Sequence, residues 1–318
     1  MRWPAAAQAL ASAGLLLALV AGAVLYHRGG MTLGAVYALV AYAGMLQAPL
    51  MVIASQVREL EESLGAIRRI NELFGETSAV QDGPHQLAPP GPGGLDVEFD
   101  AVSFSYRPGE PALSGVSFRI PAGRKLALVG RTGSGKSTIA RLLLRFADPD
   151  GGTVRVGGRD LRELTRDSLR AHVGLVTQEV QLLHAPVRDN VSLFDPDLPD
   201  DTISTALVEV GLGGWLDGLP DGLDTVLGAG ATGLSAGEAQ LLAFARVLVT
   251  DPAVVVFDEA SSRLDEVSRE RFDAAAERLL AGRTALIIAH RPEALRGTDD
   301  TLVLGDGKVL EYGPRNLS

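Results

Sequence analysis

The sequence predicts an α/β fold with a parallel core sheet, an antiparallel subdomain and a helical subdomain, preceded by a two-helix transmembrane hairpin. Three observations carry that expectation. The short apolar runs Leu126–Val129, Val254–Phe257 and Thr284–Ala289 recur between helical stretches and read as buried strands of the parallel type. Asp96–Phe99, Ala101–Tyr106 and Val116–Ile120 alternate instead, as strands of an antiparallel sheet do. Ahead of all these lie two long stretches without a charged residue, Ala5–Tyr26 and Met31–Val57.

The first stretch has 22 residues. As a helix it spans about 33 Å, against a hydrocarbon core of about 30 Å. A secretory signal has a shorter apolar core, and here a second long apolar run follows at once, so a membrane hairpin is the better reading. Arg2, Arg58, Arg68 and Arg69 flank its outer ends against Arg28 in the turn, which places both termini in the cytoplasm. Pro49 is expected to kink the second helix. Val57–Phe74 is charged but keeps Leu60, Leu64, Ile67, Ile70, Leu73 and Phe74 at helical spacing, so the helix continues into the cytoplasm and ends at Gly75. These readings assign 1–74 to a partial transmembrane domain, the Gly- and Pro-rich 75–94 to a linker, and 95–318 to a second domain.

That second domain is organised around Gly130-Arg131-Thr132-Gly133-Ser134-Gly135-Lys136-Ser137. The run follows the Leu126–Val129 strand and precedes Thr138–Phe146, which has helical spacing and no Gly or Pro. Strand, glycine-rich loop and helix are the context of a phosphate-binding P-loop. Its glycines let successive backbone N–H groups turn inward around phosphate oxygens, and the new helix presents its positive end to the same anion. Lys136 would reach the β- and γ-phosphates of a nucleotide, and the Ser137 hydroxyl would ligate Mg²⁺.

Downstream, Asp148–Gly152 reads as a turn, Thr153–Val156 as a strand, and Val173–Thr177 as another strand ending at Gln178. The stretch from Glu179 to about Gly233 is mostly helical, and Ser235–Val249 is a helix that Ser235 caps. The Val254–Phe257 strand ends in Asp258-Glu259, two carboxylates well after a P-loop, which is the Walker B pattern. Asp258 would hold Mg²⁺ through water and Glu259 would polarise the attacking water. His290 follows the third parallel-type strand, where ligands of such sheets bind.

Composition narrows the classes. The net charge of −10 gives no overall basic footprint for nucleic acid. Cysteine is absent, which excludes disulfides and thiolate metal sites.

Together these residues resemble the ATP-binding cassette (ABC) family, specifically exporters whose membrane helices precede the cassette. Leu234-Ser235-Ala236-Gly237-Glu238 resembles the family signature L-S-G-G-Q and opens a helix, as the family requires. Tyr106 resembles the aromatic that stacks on adenine, Gln178 the Q-loop glutamine that senses Mg²⁺ and the attacking water, and Ser262–Asp265 the D-loop. His290 resembles the switch histidine that contacts the γ-phosphate. The resemblance runs from about Leu95 to Gly313 and implies an ATPase using ATP and Mg²⁺. Its nucleotide contacts would be Tyr106, the loop from Gly130 through Ser137, and Thr138, with Ser235, Gly237, Glu238 and Asp265 completing a site. It also implies a second cassette as partner, paired head to tail around two ATP molecules, and residence in the cytoplasmic membrane with the cassette on the cytoplasmic side.

The N-terminal stretches resemble the last two of the six helices of an exporter half. Four further helices and both coupling loops would then come from an upstream segment or another chain. Ala236 stands in place of a signature glycine, Glu238 in place of glutamine, and Ala229 where exporters often carry a glutamate. Two other readings stay open at this point: an ATP-binding remnant that transports nothing, and a non-transport ABC ATPase.

Overall fold

The computed structural model describes residues 3–75, 80–91, 93–177, 179–228, 234–258, 266–289 and 297–314. The apolar N-terminal stretch forms α1 (Trp3–His27). Thr32 then caps α2 (Leu33–Met45) by accepting the Ala35 N–H. Leu46 separates α2 from α3 (Gln47–Gly75). The kink expected at Pro49 is thus realised as a break three residues earlier. Proline has no N–H for the Met45 carbonyl and its ring collides with it, so Pro49 is accommodated in the first turn of a new helix. Two stretches, Gln8–His27 and Leu33–Ile53, are long and apolar enough to cross a membrane. The extension expected over Val57–Phe74 is continuous with α3, and Leu60, Leu64, Ile67 and Phe74 on it are exposed.

The chain divides into two units, Met1–Ser78 and Ala79–Ser318. The second opens on residues 80–91, expected as linker, which are bonded into it as a strap. The Gly83 N–H donates to Leu164 O (3.0 Å), the His85 N–H to Glu163 O (2.9 Å) and the Thr165 N–H to His85 O (2.8 Å). The Leu87 N–H donates to Ser168 Oγ at 2.8 Å. A side chain at Gly83 would place its Cβ 2.1 Å from the Glu163 carbonyl carbon, so only glycine permits this approach. Buried Arg145 closes the strap, donating to Gln81 O and Leu164 O at 2.6 Å each and to Asp148 Oδ1 at 3.1 Å. The Asp82 carboxyl is held down to about 2 by its bonds to Arg166.

Next come β1 (Val97–Arg107), β2 (Glu110–Ile120) and β3 (Lys125–Gly130). The two alternating runs expected on either side of Asp100 are one strand. Its register against β2 shifts between Phe99 and Val102, where Ala101 sits at φ 50°, a bulge that the sequence pattern reads as an interruption. The helix expected over Thr138–Phe146 is α4 (Lys136–Leu143), which stops earlier because Arg145 adopts a left-handed φ of 52°. Then follow β4 (Gly151–Val156), β5 (Arg159–Asp160), α5 (Arg166–His172) and β6 (Val173–Val176). The mostly helical stretch contains α6 (Val187–Ser192), α7 (Asp200–Glu209) and α8 (Gly213–Asp217). The remaining elements are α9 (Ala236–Leu248), β7 (Val254–Asp258), α10 (Glu266–Leu280), β8 (Thr284–Ile288), β9 (Asp300–Gly305) and β10 (Lys308–Pro314).

The strands form two sheets, β2-β1-β4-β5 and β10-β9-β3-β8-β7-β6. The first is antiparallel throughout. In the second, β9, β3, β8, β7 and β6 run parallel and β10 closes one edge antiparallel. Burial on both faces explains the unbroken apolar runs. Val254, Val256, Leu286 and Ile288 pack with α4 and the antiparallel sheet. The alternate residues Val255, Phe257, Ala285 and Ile287 pack with α6, α7, α9 and α10 on the other side. The β9–β10 hairpin was not anticipated from the sequence.

Candidate functional site: a phosphate cradle at the sheet edge

The parallel register sets the site. β3, β6, β7 and β8 point the same way, so their carboxyl ends line one edge of the sheet. The Gly130–Ser137 loop follows β3, and Asp258 is the last residue of β7, with β8 between the two strands. Ligands of open α/β sheets bind at this edge. Gln178, Glu259 and His290 follow the ends of β6, β7 and β8 in sequence within one or two residues, but these three residues and Asp265 lie outside the described residues.

Within the loop, the Ser134 N–H donates to Arg131 O, and the Thr138 and Ile139 N–H groups donate to Gly135 O. Gly135 has a φ of 105°, and a Cβ there would lie 2.7 Å from Leu113 Cδ2 and 2.9 Å from Ala112 O. Only glycine fits the space and the dihedral. Arg131, Thr132, Gly133 and Ser137 are exposed, while Ser134 and Lys136 are buried. Lys136 Nζ folds back to donate to Gly130 O (2.7 Å) and Arg131 O (3.0 Å). Burial pulls its ammonium below the usual lysine value and the nearby Asp258 charge partly restores it. Ser134 Oγ is buried with no hydrogen-bond partner in the structure. A buried ammonium that among the described residues donates to two carbonyls, on a loop that also carries a hydroxyl without a hydrogen bond, fits an anionic ligand.

Among the described residues, no group of three or more His, Asp or Glu side chains could hold a metal. Mg²⁺ takes one or two protein oxygens and completes its shell with water and phosphate. Ser137 and Asp258, both described, carry oxygens that could ligate Mg²⁺.

Tyr106, near the end of β1, is brought to α4, the helix that follows this loop. Its hydroxyl lies 3.3 Å from Thr138 Oγ1, and Phe104 meets its ring edge-on with centroids 5.0 Å apart. Arg141 on α4 donates Nη1 to the Tyr106 hydroxyl at 3.5 Å, with its guanidinium carbon 5.9 Å from the ring centroid. Burial pushes the Tyr106 hydroxyl up, but the Thr138 and Arg141 contacts outweigh it and hold it below the usual tyrosine value. The Arg141 contact was not anticipated. Its only sequence signal is the i, i+3 spacing from Thr138.

Ser235, Gly237 and Glu238 form a second feature at the start of α9. The Glu238 N–H donates to Ser235 Oγ (3.2 Å) and the Ser235 N–H donates to Glu238 Oε2 (2.8 Å), a reciprocal capping box. Glu238 is thus the N3 residue of a well-formed helix start. The serine oxygen accepts from the helix, which leaves its O–H proton available to an incoming acceptor.

Residues 113–262 match the ABC transporter family profile. The chain belongs to the ABC transporter family. The chain is 41% identical over 267 residues to the mycobactin import ATP-binding/permease protein IrtA of Mycobacterium tuberculosis, covering 84% of this chain and 31% of that one. It is 38% identical over 305 residues to a multidrug efflux ATP-binding/permease protein of Mycobacterium bovis, covering 96% and 25%. A bacterial Atm1-family ABC exporter solved with ATP bound superposes with a TM-score of 0.70 at 30% identity, covering 98% of this chain and 55% of that chain. The chain therefore spans about half, or less, of the proteins it matches. The match to the exporter includes the N-terminal helices as well as the ABC cassette.

Proposed function

We propose that this chain binds MgATP in the Gly130–Ser137 cradle and hydrolyses it to drive export of a substrate across the cytoplasmic membrane. The observation that carries the reading is Lys136, folded over a glycine loop at the end of β3, with the Asp258 charge nearby at the end of β7. Lys136 exchanges its two carbonyl partners for phosphate oxygens. Ser137, Asp258 and Gln178 hold Mg²⁺, which when bound neutralises phosphate charge. Glu259 accepts a proton from the attacking water, and His290 contacts the γ-phosphate. Tyr106 stacks on the adenine, and Thr138 lies beside it.

Two cassettes pair head to tail, so that Ser235, Gly237, Glu238 and Asp265 of each face the phosphates in the other. The reciprocal capping box supports this, because it presents a helix N-terminus with a free serine O–H. Residues 1–74 supply two membrane helices, and additional helices complete the path. The cassette lies on the cytoplasmic side, and its folded unit includes the strap over 80–91. A second reading, uptake, is favoured by the relative named for mycobactin import. Vectorial transport in proteoliposomes would decide direction.

The test is ATP binding and phosphate release by the full chain in detergent. Lys136→Ala should lose tight ATP binding. Glu259→Gln should keep binding and lose turnover by about 10²–10⁴-fold. Hydrolysis by Glu259→Gln at the wild-type rate would refute the catalytic assignment.

A further inference from the structure

An aromatic platform holds a base best when its ring is fixed before the base arrives, because a ring that must be immobilised on binding loses rotamer entropy at that moment. Tyr106 is 55% exposed, so its ring has a face open to solvent, yet its other sides are occupied. Phe104 meets it at an interplanar angle of 89°. Thr138 Oγ1 lies 3.3 Å from its hydroxyl. One such bond leaves the ring free to pivot about its tip. Arg141 supplies a second anchor, with Nη1 3.5 Å from the same hydroxyl and its guanidinium carbon 5.9 Å from the ring centroid. Thr138 and Arg141 share one face of α4, the helix that begins at Lys136. The element that receives the phosphates thereby also fixes the aromatic ring.

We propose that Arg141 is a positioning residue for the nucleotide base, holding the Tyr106 ring in its stacking orientation against α4. The inference rests on the reading of Tyr106 as the base-stacking residue. A plainer role exists for a cation in the last turn of α4, complementing the helix dipole. That role is independent of Tyr106, and so is any direct attraction of Arg141 to nucleotide phosphates. The coupling between the two side chains is therefore the quantity that decides.

The experiment is a double-mutant cycle on the full chain in detergent, with calorimetric titration of MgADP against wild type, Arg141→Ala, Tyr106→Ala and the double variant. Arg141 is exposed and alanine is the best helix former, so α4 is retained. Arg141→Ala should weaken ADP binding about two- to fivefold, the range of an exposed cation–aromatic contact. In steady-state ATP hydrolysis the change should appear in KM rather than kcat. In the Tyr106→Ala background the same substitution should change nothing further. An equal loss in both backgrounds overturns the proposal, as does an Arg141→Ala variant with wild-type affinity beside a weakened Tyr106→Ala. If Tyr106→Ala itself binds as tightly as wild type, the base-stacking reading fails, and the proposal with it.

Discussion

Replacing Arg145 by methionine tests whether the strap over 80–91 belongs to the cassette fold. The Arg145 side chain is 2% exposed and donates to four acceptors: Gln81 O, Leu164 O, Arg162 O and Asp148 Oδ1. Methionine fills much of the volume and supplies no donor. Removing one member of a buried charged network typically costs about 3–5 kcal/mol. Here Leu164 O keeps the Gly83 N–H, so about 2–4 kcal/mol is expected. For a unit of this size that lowers Tm by about 4–16 °C. Hydrogen exchange localises the effect. The amides of Gly83, His85, Leu87 and Thr165, all bonded across the strap, should lose protection, while those inside β3 and β8 keep theirs relative to the global transition. Arg145→Gly provides a comparison: it also removes every donor and relieves the left-handed φ of 52°, but it empties the buried volume and should cost at least as much as methionine. Unchanged strap protection in Arg145→Met, or a Tm shift below about 2 °C, would mean that the strap is held without its arginine.

Gly135→Ala should abolish ADP binding and lower Tm, because a Cβ 2.9 Å from Ala112 O cannot be accommodated without moving the loop; calorimetry and thermal melts check both. Ser235→Asp should keep α9 intact, since aspartate caps as well as serine, yet prevent ATP-dependent pairing by placing a carboxylate where the partner's phosphate docks. Size-exclusion chromatography of the ATP-bound Glu259→Gln variant, with and without this change, measures it, and a dimer that survives Ser235→Asp counts against the head-to-tail reading. Glu238→Gln should preserve the capping box while removing a negative charge from the same helix start, so the ATP concentration needed for pairing should fall. Because the folded Asp82 carboxyl sits near 2, below its unfolded value of about 3.9, its contribution to the strap is present above pH 4 and lost as pH falls from there toward 2. Proteolysis within 80–91 should therefore be flat from pH 7 to about 4.5, provided an acid-tolerant protease is used throughout.

The motifs could be picked out in the sequence because each is local. The glycines, lysine and serine of 130–137 must be consecutive to build a cradle, and an apolar strand ending in Asp258 needs no distant partner to be recognised. Ser235 was read as a cap, and it is one. The local role of Glu238 was seen in three dimensions, where its carboxylate accepts the Ser235 N–H, a bond that glutamine would also make. Boundaries were less legible. A bulge at Ala101 looked like a strand end, and the effect of Pro49 fell at Leu46.

What the sequence alone determined is the order of the parts: apolar helices, then a glycine-loop cassette with parallel and antiparallel strands, each announced by periodicity and by short-range chemistry. What only the tertiary structure decided depends on residues far apart in the chain. The Pro- and Gly-rich run before the cassette reads as a free linker, yet Arg145, more than fifty residues away, supplies the donors that fix it. Tyr106 reads from the sequence as resembling an adenine-stacking aromatic with no stated neighbour, yet Thr138 and Arg141 anchor its hydroxyl from the helix that follows the glycine loop. Backbone carbonyls and exposed rings carry no residue-type signal of the partner they will meet. Composition near them says only that they are polar or apolar, and the pairing exists once the sheets have brought the two segments together.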